Sequence, residues 1–268
     1  MRRFRFCALG LASLVAVLSC ACANKSAPSS APAPAVQELT VQVVNSYPHD
    51  HAAFTQGLLY ADGKLYESTG LVGQSSLRRV DLDSGRVENQ VPIDAPIFAE
   101  GLALAGDNLF QLSWQNGRAF VYRKATFARV GEYAYPGEGW GLTFDAQGRR
   151  LIMSDGSAHL SFRDPGNFAA QGGIDVTRAG QPVRNLNELE WADGQIYANV
   201  WMTDVIVRID PGTGAVTGWI DAAGLLSREE RIGTDVLNGI AYAPTRGTFF
   251  ITGKLWPRLF EVKFVAHP

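Results

Sequence analysis

Past residue 36, apolar positions come in short runs that recur in pairs, each pair joined by a Gly-, Asp- or Asn-containing turn. Phe54-Thr-Gln-Gly-Leu-Leu-Tyr is followed by Ala61-Asp-Gly-Lys and then Leu65-Tyr-Glu-Ser. The pattern returns at Phe98-Ala-Glu-Gly-Leu, Gly139-Trp-Gly-Leu-Thr-Phe, Leu186-Asn-Glu-Leu-Glu-Trp and Leu237-Asn-Gly-Ile-Ala-Tyr, each time with a turn and a second apolar run. Gly57, Gly101, Gly141, Glu188 and Gly239 hold matching places, 40 to 51 residues apart. A strand-rich repeat of that length is the signature of propeller blades, and the Asp-Gly turns suit tight hairpins. Ser76-Leu-Arg-Arg-Val-Asp and Val205-Ile-Val-Arg-Ile-Asp read as third strands, and Val87-Glu-Asn-Gln-Val and Val216-Thr-Gly-Trp-Ile as fourth strands.

Five copies predict an all-β, five-bladed β-propeller. The last copy supplies strands at 237–243, 248–252 and 258–265, one short of a full blade. Leu39-Thr-Val-Gln-Val-Val-Asn is the expected fourth strand, joining the last blade and closing the ring so that no edge stays open. The segment Leu225-Leu-Ser-Arg-Glu-Glu-Arg-Ile is expected to be a helical surface insertion.

The N-terminus changes the domain picture. Arg2, Arg3 and Arg5 precede an apolar run from Cys7 to Leu18 that is too short to span a bilayer. Residues 1–22 therefore read as an export signal, with a periplasmic destination. Val17-Leu18-Ser19-Cys20 resembles a lipobox, so Cys20 is either an acylated residue or a small residue beside an ordinary cleavage site. Lipidation there would be the chain's one link to a membrane. Residues 23–36 form a Ser/Ala/Pro linker, and 37–268 a single domain, expected to be a monomer. All three cysteines, Cys7, Cys20 and Cys22, lie in the leader, so the body must be stabilised by its core rather than by disulfides. A net charge of −2 offers no electrostatic basis for nucleic-acid binding.

In a propeller, equivalent inner-strand positions converge on one axis. The residue before the repeat's glycine is Gln56, Glu100, Trp140, Asn187 or Asn238, and the ends of the second strands add Trp114, Asp155, Trp201 and Lys254. A carboxylate, amides, an amine and indoles would then share one mouth. Each has an ordinary alternative: a solvated Glu100 or Lys254, core tryptophans, an Asp155 that only shapes a turn. His49 and His51 have a spacing that can bind metal, but the other two histidines are far off in sequence, and no metal site is expected.

Several ordered motifs resemble one family. Tyr47-Pro-His-Asp with Phe54-Thr-Gln-Gly-Leu, Pro136-Gly-Glu-Gly-Trp-Gly-Leu-Thr, Ile152-Met-Ser-Asp-Gly-Ser, Leu186-Asn-Glu-Leu-Glu-Trp and Thr252-Gly-Lys-Leu-Trp-Pro are similar to the plant and bacterial, papaya-type glutamine cyclotransferases. The resemblance runs from about residue 40 to the end. It implies a five-bladed propeller that needs no metal or other cofactor. It also implies conversion of N-terminal glutamine of peptides or proteins to pyroglutamate, with release of ammonia. Carried over by motif, the catalytic carboxylate is Glu100, with Lys254 and Asn187 as electrostatic partners and Gln56, Trp114, Trp140 and Trp201 as the substrate pocket. Ala99 stands where glycine is expected, and His51 where proline is common. Two other readings stay open on fold alone: a non-catalytic binding propeller and a calcium-dependent lactonase-type propeller. The second is disfavoured because Glu100 is the one acidic residue among the five matched axial positions.

Overall fold

The computed structural model describes Met1 and residues 35–267. The leader and most of the expected linker lie outside these residues. Every regular element described is a β-strand. β1 (Gln37–Pro48) is followed by β2 (Thr55–Ala61), β3 (Lys64–Thr69), β4 (Ser76–Asp81) and β5 (Val87–Pro92), and these last four make an antiparallel sheet in chain order. A second such sheet contains β6 (Ala99–Ala105), β7 (Asn108–Ser113), β8 (Arg118–Arg123) and β9 (Arg129–Ala134). The third has β10 (Leu142–Asp145), β11 (Arg150–Met153), β12 (His159–Arg163) and β13 (Ala170–Asp175). A short ribbon of β14 (Thr177–Arg178) and β15 (Gln181–Pro182) leads to β16 (Leu186–Ala192), β17 (Gln195–Val200), β18 (Val205–Ile209) and β19 (Val216–Asp221). The chain ends in β20 (Leu237–Ala243), β21 (Thr248–Gly253) and β22 (Arg258–Ala266).

β1 lies antiparallel beside β22, from Leu39 opposite Ala266 to Pro48 opposite Arg258, and so completes a fifth four-stranded group. Its first residues, Gln37–Thr40, also run parallel to Gly218–Asp221 of β19, which fuses the last two groups into one eight-stranded sheet. The inner strands pack in a cycle, β2 on β6, β6 on β10, β10 on β16, β16 on β20 and β20 on β2.

Local sequence explains the hairpins. Asp62-Gly63 and Asp193-Gly194 have positive φ at both residues (54° and 76°, 49° and 77°), as a two-residue type I′ turn requires. Inner strands such as β2 and β6 are buried on both faces, whereas outer strands such as β9 alternate with solvent. The core sits between sheets: Leu59, Tyr66 and Leu77 meet Leu102, Leu109 and Phe120, and Ile152 and Leu160 meet Leu189 and Ile196.

The expected helix at 225–232 does not form. Ser227 and Glu230 make the reciprocal bonds of a capping box, Ser227 N to Glu230 Oε2 at 3.0 Å and Glu230 N to Ser227 Oγ at 3.2 Å. One i→i−4 bond, Arg231 N to Ser227 O, follows, and Gly233 (φ 82°) then ends the turn. The helix-start signal is present, but too few residues follow it to offset the cost of nucleation.

At the axis the inner strands approach so closely that side chains are excluded. A Cβ on Gly57 would collide with Leu102 N, one on Gly101 with Leu142 N, and one on Gly141 with the Asn187 carbonyl. In β16 the matching residue is Glu188. It is fully buried, and its carboxyl accepts bonds from Leu58 N (3.2 Å) and Ile240 N (2.8 Å). At the same level β2, β6, β16 and β20 each break register, between Thr55 and Gly57, Ala99 and Leu102, Leu186 and Leu189, and Leu237 and Ile240. Such bulges re-aim side chains, here Gln56, Glu100, Asn187 and Asn238.

Because Gly141 abuts backbone rather than a movable side chain, Gly141→Ala is expected to cost at least about 1–3 kcal/mol, measured as a lower urea midpoint. An unchanged midpoint would show that the axis has slack.

Candidate active site

Three of the four bulged residues, Gln56, Glu100 and Asn187, open on a cavity of about 450 Å3 at one end of the axis. All seven residues singled out from the sequence line it: Gln56, Glu100, Trp114, Trp140, Asn187, Trp201 and Lys254. Asp155 does not. It is exposed and accepts bonds from Ser157 N and Oγ, so it shapes a turn. Asn238 lies beneath the cavity, fully buried.

The floor is a hydrogen-bonded relay. Asn238 Nδ2 donates to Thr55 O (3.0 Å) and to Gln56 Oε1 (3.2 Å), and Gln56 Nε2 donates to Glu100 Oε1 (3.1 Å). Asn238 thereby sets which way the Gln56 amide faces. Glu100 is 5% exposed. Burial pushes its carboxyl well above the usual range, against the opposing pull of Lys254, while the Glu138 charge adds to the rise. Lys254 is also buried, and burial lowers its pKa although Glu100 and Asp235 act to raise it. Its ammonium lies 4.8 Å from the centroid of the Phe54 ring. Burial thus biases each of the two groups toward its neutral form. Asn187 Oδ1 is buried without a hydrogen-bond partner, an acceptor available to a ligand N–H.

The walls are aromatic. Trp140 meets Trp201 edge-on (5.5 Å), Phe98 meets Trp114 (5.7 Å) and Phe54 meets Phe98 (6.0 Å). Gly156 underlies the Trp140 ring, where a Cβ would be 2.7 Å from the indole. Glu138 holds two of the indoles at once: Trp114 Nε1 donates to its Oε2 at 2.7 Å and Trp140 Nε1 at 3.0 Å, while Gln115 Nε2 binds Oε1 at 2.9 Å. Those bonds, led by that of Trp140, lower the Glu138 pKa.

Phe54, Phe98, Met202, Asp235 and Glu138 escaped the reading of the sequence. Phe54 and Phe98 had a usable signal, since each stands two residues before a site residue in its repeat. Glu138 lay inside a quoted motif without an assigned role, and nothing in the repeat marks Met202 or Asp235. His49 and His51 do not converge. His51 is exposed, while His49 is buried, with Nε2 3.0 Å from Glu67 Oε1 and Nδ1 2.7 Å from Trp256 O. Burial would lower the His49 pKa, but the charge and hydrogen bond of Glu67 outweigh it and the net shift is upward. Among the described residues no group of three or more His, Cys, Asp or Glu side chains is placed to hold a metal ion. Neither Ala99 nor His51, the two departures from the expected motif, lines the cavity.

An all-β frame that gathers a buried carboxyl, a buried amine, an unpartnered amide oxygen and indoles in one concave pocket has the makings of an enzyme site for a small polar group. The family model described as glutamine cyclotransferase matches residues 14–264. A glutaminyl-peptide cyclotransferase of Arabidopsis thaliana is 44% identical over 229 residues, 83% of this chain and 71% of that protein. The crystal structure of Myxococcus xanthus glutaminyl cyclase aligns with a TM-score of 0.79 and 41% identity, covering 87% of this chain and 100% of that one. The chain belongs to the glutamine cyclotransferase family.

Glu138 serves three donors with two oxygens, the indoles on Oε2 and Gln115 on Oε1, and in Glu138→Gln one of those places becomes an NH2 that can accept from none of them. Glu138→Gln is expected to red-shift the tryptophan emission and weaken the near-UV circular dichroism while leaving the far-UV spectrum intact. Identical emission in variant and parent would mean that the carboxylate does not hold the rings.

Proposed function

We propose that this chain is a glutaminyl-peptide cyclotransferase, built as a five-bladed propeller, that converts N-terminal glutamine of peptides to pyroglutamate without a metal ion, with Glu100 carrying the proton. The observation that carries the reading is the buried Glu100, oriented by Gln56 at the floor of the cavity and opposed by Lys254. The names of the two relatives support the activity. The cyclic packing of five inner strands, each leading a four-stranded group, supports the propeller.

The chemistry is an intramolecular acyl transfer. The substrate's α-amine attacks its own side-chain amide carbon, a C–N bond closes the five-membered lactam, and the bond to the amide nitrogen breaks. The nucleophile is already tethered, so the pocket has to hold the folded-back conformer rather than supply a nucleophile of its own. An α-amine has a pKa of about 7.7–8.0 and is partly neutral near pH 8. Glu100 in its ionised form takes the proton that the amine sheds on attack and passes it to the leaving nitrogen, which departs as ammonia.

Lys254 supplies the donor for the amide oxygen as it gains charge. Asn187 pairs with the substrate's side-chain amide, its unpartnered Oδ1 accepting from the substrate NH2. A glutamate side chain would present a lone pair to that oxygen and a negative charge to Glu100, which explains a preference for Gln. The indoles exclude water from the floor. The leader read from the sequence supports export to the periplasm, with Cys20 either lipidated or lost in cleavage.

Ammonia release from a Gln-initiated peptide in the presence of EDTA tests the activity and its metal independence together. Glu100→Gln keeps shape but removes the base, and is expected to lower kcat about 10²–10⁴-fold. A near-parental rate would remove Glu100 from the mechanism, and loss of activity in EDTA would overturn metal independence.

A base must be ionised, so the rate should fall as pH drops through the raised Glu100 pKa. Removing the Glu138 charge eases that rise. The acidic limb of kcat/KM in Glu138→Gln should therefore move to lower pH, whereas an unmoved limb would assign it to another group.

A further inference from the structure

Beside the axial cavity lies a second one, of about 390 Å3, and the two share Met202 and Asp235. Its far wall is the connection between β19 and β20, the segment that carries the truncated helical turn. That wall is pinned. Glu230 pairs with Arg258, Asp235 N donates to Lys254 O and Lys254 N to Val236 O (both 2.9 Å), and Trp256 Nε1 donates to Asp235 O (2.9 Å). The same strand end therefore positions Lys254 in the first cavity and the wall of the second.

The shared sill has its own character. Met202 is 65% exposed and holds a left-handed backbone (φ 67°), which an unbranched non-glycine residue rarely adopts. Buried Leu226 and Trp256 line the second cavity and provide apolar surface. Its charges do not balance. Arg231 is paired with Asp204 at 3.6 Å. The Asp235 carboxylate accepts a bond from the neighbouring Val236 N (2.6 Å) and has no ion-pair partner among the described residues. Asp235 acts through space on Lys254 in the first cavity, but among the charges lining the second cavity it is the one left without an ion pair.

A peptide whose terminal amine reaches Glu100 must leave the axial cavity over its rim. The sill of Met202 and Asp235 is the part of that rim that opens on the second cavity. We propose that the second cavity is the subsite for these downstream residues, and that Asp235 makes it favour a cationic side chain, lysine or arginine, directly after the N-terminal glutamine. The aliphatic stem of such a side chain lies along Leu226 and Trp256, and its head group meets Asp235. The proposal rests on the cyclotransferase reading above and deepens it.

Three peptides identical except at the second residue, Gln-Lys, Gln-Ala and Gln-Glu, test it on the full chain by ammonia release. Expected is an order Lys above Ala above Glu in kcat/KM, carried mainly by KM, with about three- to tenfold between the extremes, as befits an exposed ion pair. The preference should shrink in high salt. Asp235→Asn keeps an acceptor for Val236 N and should bring the Lys-to-Glu ratio close to one, whatever its effect on the absolute rates. Equal rates for the three peptides, a preference for Gln-Glu, or a ratio unaltered in Asp235→Asn would overturn the subsite while leaving the cyclotransferase standing. Failure to cyclise any of the three would instead overturn the function and the subsite with it.

Discussion

Everything in this molecule is arranged around the crowding of backbones at the axis. Gly57, Gly101 and Gly141 are places where one inner strand presses on the next with no room for a Cβ, and Glu188 closes the remaining gap by bonding to amides of β2 and β20. The same crowding produces the bulges, because strands that converge must break register to stay paired with their own hairpin partners. A bulge turns a side chain out of the sheet. The site is thus a consequence of how the strands meet: the residue beside each axial glycine or glutamate is the one delivered to the cavity.

The axis also concentrates buried carboxyls. Glu188 is pushed well above the usual carboxylate range by burial and by nearby Glu190, and burial lifts Glu190 to about 8. Glu190 lines a cavity of about 150 Å3 at another level of the axis, and hydrogen bonds led by that from Tyr242 N (2.7 Å) oppose its rise. Carboxyls raised in this way bind more protons in the native than in the unfolded chain, so their contribution to stability falls as pH rises above the ordinary carboxylate range, for Glu190 from about 4.5 toward about 8. Against this stands the His49–Glu67 pair, in which Glu67 is held low by its partner against the opposing effect of burial. That pair joins the end of β1 to β3, while the His49 bond to the Trp256 carbonyl reaches the segment that pins the second cavity's wall.

The aromatic walls depend on a separate device. Indoles have one polar atom each, and a buried or half-buried N–H needs an acceptor. Glu138 serves two of them at the rim, so the spacing of Trp114 and Trp140 is set by one carboxylate reached from a loop between β9 and β10. Rings held beside the ends of paired strands are what a pocket needs when its task is to hold one folded-back conformer of a small substrate.

Much was legible in the chain itself because the repeat is local. Turn chemistry at Asp62-Gly63 and Asp193-Gly194, the apolar runs, and the recurring place of Gln56, Glu100 and Asn187 all follow from residues close in sequence, and the strand order and the pairing of β1 with β22 match what those patterns imply. The failures have an equally physical cause. The 225–232 segment carries a helix-start signal that Gly233 cuts off, Asp155 is turned to solvent by its own bonds to Ser157, and Glu138, Met202 and Asp235 become part of the site only through partners far along the chain. Sequence alone determined the period, the turns and which residues share a register, since these depend on neighbours a few positions away. Tertiary structure decided which carboxyl is buried, which amide is left unpartnered and which loop walls the second cavity, because burial and pairing are properties of strands brought together from opposite ends of the chain.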